Sequence, residues 1–127
     1  MALPDKGQKN AQAAYDAAKT GLFQLPEDGA KRLAASCDTL ADGLQDEIAA
    51  AWSLVNVTGF PDLPSGHALA KGFSAKGREY IEALTALRET VLRYKAAYLA
   101  AGKQFEDADA ANRAAIKVAT DQLEDPA

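Results

Sequence analysis

Apolar residues recur along this chain with a helical period, and two proline-bearing stretches interrupt them. The first series is Leu33, Cys37, Leu40, Leu44, Ile48, Ala51 and Val55, with Trp52 beside it. Its steps of three and four residues place one narrow apolar stripe on a helix. The second series is Gly77, Tyr80, Leu84, Leu87, Val91, Tyr94, Tyr98, Ala101, Phe105, Ala108, Asn112, Ala115 and Ala119. It alternates three and four without a break, a seven-residue repeat that implies left-handed supercoiling against another helix. The stretches between the series, "GLFQLPEDG" at 21–29 and "NVTGFPDLPSGH" at 56–67, carry the glycines and prolines that stop helices.

This pattern predicts an all-α fold: an antiparallel, coiled-coil-like helical hairpin with a long second helix and a short accessory N-terminal helix. Residues 1–25 form the accessory helix or linker, with Ala11, Tyr15, Ala18 and Leu22 at helical spacing. Residues 26–120 form the hairpin domain, with helix A at about 26–55, a loop at 56–67 turning at Gly66, and helix B at about 68–119. Residues 121–127 are read as a flexible tail. Pro26, Glu27 and Asp28 suit the first turn of helix A, and Ser65 suits an N-cap for helix B. Leu84, Leu87, Val91 and Tyr94 of helix B are the expected hairpin seam and partner interface. Asp46 and Glu47 are expected to meet Lys71, Lys76 and Arg78 across the loop. Helix B would outreach helix A by roughly 30 Å at 1.5 Å per residue. The overhang would carry Tyr98, Phe105 and Ile116 beyond helix A, so cover by the N-terminal segment, a second copy or a paired hairpin protein is expected.

Composition supports the helical reading, because alanine and leucine dominate and β-branched residues are few. A length of 127 residues allows one domain. The formal charge of -4 disfavours nucleic-acid partners and anionic membrane surfaces. The N-terminal stretch has no apolar core of Sec-signal length, and no segment approaches a membrane span. A single cysteine, Cys37, excludes an internal disulfide and reads as a small helical hydrophobe.

The chain offers little to catalysis. His67 is the only histidine and falls at a loop-to-helix junction, which rules out a Ser-His-Asp set or a Glu-x-x-His di-iron arrangement. Asp38, Asp42 and Asp46 recur on one side of helix A. The opposing helix offers lysine and arginine, so a solvated flank is expected and no metal or cofactor is assigned. The protein is therefore expected not to be an enzyme.

A helix, a short loop ending in glycine and a second helix within about a hundred residues resemble the WXG-type proteins of type VII (ESX) secretion. The relatives called EspC-like are closer. "PSGHALAKGF" keeps Gly66 and Phe73 but has Pro64 where the WXG pattern has tryptophan, a departure that favours the EspC-like branch. The family's export signal is Tyr-x-x-x-Asp/Glu on the second helix. "FEDAD" places Phe105 and Asp109 at that spacing, with Phe for Tyr, inside a segment similar to the corresponding EspC-like one. The resemblance implies a secreted substrate or secretion partner that acts by protein binding. Phe105 and Asp109 would be read by a secretion ATPase, with Tyr98 supporting them and with an exported toxin or effector as a further partner. It also implies a cytoplasmic stage, then export by a non-Sec route or retention at the cell envelope. The rival expectation is a cytoplasmic coiled-coil adaptor or chaperone for another helical protein, indifferent to changes at Phe105 and Asp109.

Overall fold

A computed structural model describes residues 3–121. Its described residues form four α-helices and no strand: α1 (Gln8–Lys19), α2 (Glu27–Ala51), α3 (Pro64–Ala101) and α4 (Phe105–Asp121). A 3-10 turn at Trp52–Val55 tightens the end of α2. α3 is the central element, and α1, α2 and α4 all pack on it.

α2 begins after Pro26 with Glu27 and Asp28 in its first turn, where acids face unpaired N–H groups. It runs antiparallel to α3: Glu47 meets Tyr80, whereas Asp38, two and a half turns earlier, pairs with Lys95 at 2.7 Å. The buried line of α2 is Ala30, Ala34, Ala41, Ile48 and Ala51, continued by Val55 of the 3-10 turn. This line is rotated from the expected stripe. Leu33 and Leu40 lie outside it, 40% and 55% exposed, and Cys37 and Leu44 are half-buried at its edge. Small residues win the interior because they let helix backbones approach closely.

The core has three parts, the smallest a contact of Ala41, Leu92 and Ala115 with Val91 and Val118 at its margin. At the end near residues 48–55, Ile48, Ala51, Val55, Ile81 and Leu84 pack between α2 and α3, with Leu44 and Trp52 at the margin. At the other end all four helices converge on a cluster built mainly from alanine: Ala18, Ala34, Ala96, Ala97, Ala100, Ala101, Ala108 and Ala111, with Tyr15 and Leu99.

Helix B is not the continuous element expected from its repeat. α3 stops at Ala101, and α4 turns back along it, so the predicted overhang does not exist. The stop is a complete C-terminal capping motif. Lys103 is left-handed (φ 63°) and donates its N–H to the Ala100 carbonyl at 3.0 Å, and Gln104 N–H reaches back to the Leu99 carbonyl at 2.8 Å. Gly102 precedes it with no room for a side chain, since a Cβ there would strike the Cβ of Ala30. α4 then starts with Glu106 and Asp107 in its first turn.

Gly66 also differs from expectation. It is a buried residue in the first turn of α3, not the loop's turn, because α3 begins at Pro64, after Leu63, rather than after a Ser65 cap. Its lack of a side chain admits the Pro61 carbonyl, which any Cβ would strike. The loop above it is ordered by Phe60 stacked on Phe73, ring centroids 5.7 Å apart. The expected ladder across the loop is replaced by other partners: Glu47 accepts from the Tyr80 hydroxyl at 3.3 Å, and Lys76 pairs with Glu79 at 3.2 Å on its own helix. The expected tail lies outside the described residues except for Asp121, which ends α4.

Candidate recognition surface

α1 is attached to α3 through a polar cluster as well as through Ala11, Tyr15 and Ala18. Glu89 is buried on α3 and accepts from Arg93 Nε at 2.7 Å, one turn along the same helix. Arg93 Nη1 donates to Gln12 Oε1 at 2.6 Å, and Gln8 Nε2 approaches Glu89 at 3.5 Å. The Thr90 hydroxyl lies 3.1 Å from the Lys6 carbonyl, fixing the segment that enters α1. A buried carboxylate is tolerable only with such partners, so these contacts hold α1 in one position.

That position brings Tyr15 and Lys19 to the side of α4. The Tyr15 hydroxyl donates to Asp109 Oδ1 at 2.6 Å, Lys19 Nζ stands 3.6 Å from the same oxygen, and Lys19 also lies over the Tyr15 ring. Burial, the hydrogen bond to Asp109 and the nearby carboxylates push the Tyr15 hydroxyl up to about 12. The Asp109 carboxyl is held below its ordinary range chiefly by the Tyr15 hydrogen bond; burial opposes this, and Lys19 and Arg113 add smaller lowering effects. Asp109 is therefore ionised at neutral pH.

Phe105 opens α4 and leaves nearly half of its surface in solvent. Asp109 follows one turn later, so ring and carboxylate share a helix face. The resulting surface is an exposed aromatic knob beside a fixed negative charge, bordered by Tyr15 and Lys19. Periodicity could not pair those last two residues with Asp109, which lies 94 positions beyond Tyr15 in sequence. Tyr15 was visible only as a helical apolar position.

Tyr98, expected to support Phe105 and Asp109, takes other neighbours. Its ring meets Phe23 edge-on at 6.4 Å and stacks with Tyr94 at 6.0 Å. Burial, then the nearby Cys37 thiol and Tyr94, raise its hydroxyl above the ordinary value. The four seam residues divide by depth: Leu84 is buried, Val91 and Tyr94 are half-buried, and Leu87 is 39% exposed. His67 stands exposed in the first turn of α3, with Nε2 2.7 Å from Asp62 Oδ1. Among the described residues no helix is long and apolar enough to cross a membrane.

No described protein family, curated protein or solved structure matches the chain.

Proposed function

We propose that this chain is a type VII (ESX) secretion-associated binding protein, a substrate or secretion partner recognised through Phe105 and Asp109. In that reading α2 and α3 are the helical-hairpin unit, and α1 and α4 close over one end of it. The observation that carries the reading is the shared presentation of an exposed ring and an ionised carboxylate at the start of α4. Held on a helix packed against the core, the pair is readable without unfolding, which suits recognition of a folded protein by a secretion ATPase. The protein would act by binding, stay cytoplasmic until recognised, and leave by a non-Sec route or remain with the envelope.

Fractionation of cells and medium tests this in a host with an active type VII system. Wild type is expected in the medium, and the Phe105→Ala/Asp109→Ala variant inside the cell, with unchanged helical circular dichroism. Equal export of both would remove the pair's role. Retention of both would favour the cytoplasmic adaptor.

A further inference from the structure

A groove with a volume of about 590 Å³ runs between α2 and α4, with α3 as its floor. Thr85 and Leu92 lie buried along that floor, and Ile48, Val118 and the half-buried Trp52 make the walls apolar. Arg88 enters from α3 and is itself half-buried. Its Nε is shielded from solvent and meets no acceptor, and none of the ion pairs among the described residues includes it. Its neighbours on the same helix are engaged: Arg93 holds Glu89 at 2.7 Å, and Lys95 holds Asp38 at 2.7 Å. Buried donors in native proteins are almost always paired, so a lone one marks a place where an acceptor belongs. The other charges on the groove differ in depth. Asp38 is committed to Lys95, and Asp42, Lys117 and Asp121 stand at exposed positions on the rim. Rim charges keep their water and are screened, whereas the charge of Arg88 is partly desolvated. Arg88 therefore sets the sign of what the groove accepts.

We propose that this groove binds a small organic anion, a carboxylate carried on an apolar or aromatic body. The terminal nitrogens of the Arg88 guanidinium offer two donors to the two carboxylate oxygens, a planar match that an ammonium group cannot make. Lys117 adds a second positive charge at the rim. The body of the ligand lies against Ile48, Val118 and Trp52. Apolar walls with a few convergent polar groups, in a volume within roughly 300–1,000 Å³, are the usual make-up of a small-molecule site. A partner helix fits less well, because it would also bury Asp42 and Asp121 without counter-ions. A bound anion touches α2, α3 and α4 together, and so ties the C-terminal half of α4 to α2. Phe105 and Asp109 belong to the opposite half of α4, and the site does not depend on export.

Heteronuclear NMR on the full, isotope-labelled chain tests the proposal, with 3-phenylpropionate as the probe. The Nε–H of Arg88 and the indole N–H of Trp52, the chain's one tryptophan, report from the two ends of the expected ligand. Both resonances are expected to shift saturably, with a Kd below about 1 mM. The neutral isostere 3-phenylpropionamide should bind at least about 10-fold more weakly, because it lacks the charge that Arg88 meets. Arg88→Gln should weaken binding of the acid by a similar factor, and Arg88→Lys should restore part of it, since charge returns without the fork. Lys71→Gln, at an exposed position outside the groove, should change nothing. Absence of a saturable shift up to about 10 mM probe overturns the proposal. So does an affinity unchanged in Arg88→Gln. Equal binding of acid and amide would make the groove an apolar slot, and tighter binding of 2-phenylethylamine would assign it to the rim acids; either result also overturns the proposal. These last two comparisons use the wild type alone, so they decide the matter even if Arg88→Gln fails to fold.

Discussion

Two residues near the turn from α3 to α4 show how local chemistry decides the fold. Lys103 adopts a left-handed conformation that costs an L-residue with a side chain about 1 kcal/mol, whereas glycine accepts it freely. Lys103→Gly should therefore raise stability by roughly 0.5–1 kcal/mol, less any gain in unfolded-chain entropy, as measured by urea unfolding. Tyr15 makes the second case. Its folded-state affinity for a proton exceeds that of the unfolded chain, so the stability it adds is complete below about pH 10. That contribution is lost as pH rises toward about 12. The stability difference between wild type and Tyr15→Phe should accordingly be constant at neutral pH and change between pH 10 and 12. A constant difference across that window would show that the hydroxyl is not held by Asp109.

Elements here are matched by smallness more than by bulk. Ala108 of α4 and Ala96 of α3 are fully buried in one cluster, and Gly102 admits Ala30 at the turn beside it. A larger side chain at such a contact cannot be absorbed without separating the helices. Ala108→Leu is expected to cost about 1–3 kcal/mol in chemical denaturation despite adding apolar surface, with increased hydrogen exchange in α4. This packing also explains what was legible. Helix positions were readable, because alanine and leucine favour helix in any context and the two proline stretches stop it. The helix at 26–55 and the start of the next near 64–68 needed nothing else. The break at 102–104 was missed because the seven-residue repeat runs through it in perfect phase. The local signals were present, a glycine followed by acids at 106 and 107, but periodicity outweighed them.

On the scale of the whole molecule, the largest apolar side chains are not where a two-helix reading puts them. That reading assigned the interior to the leucines and tyrosines of the repeat. With α1 and α4 also seated on α3, alanines line the four-helix end, and Leu33, Leu40, Tyr80 and Leu87 remain at or near solvent. The candidate recognition pair was legible as two residues four apart. Its setting was not, because Tyr15 and Lys19 reach Asp109 only after α1 and α4 have both docked. The sequence by itself determined helical content, the two main breaks and the spacing of Phe105 and Asp109, all of which depend on neighbours within a few residues. Only the tertiary structure decided which face of each helix is buried, where the last helix turns back and which groups hold Asp109. Those outcomes rest on competition among distant surfaces for α3, and close alanine packing won it.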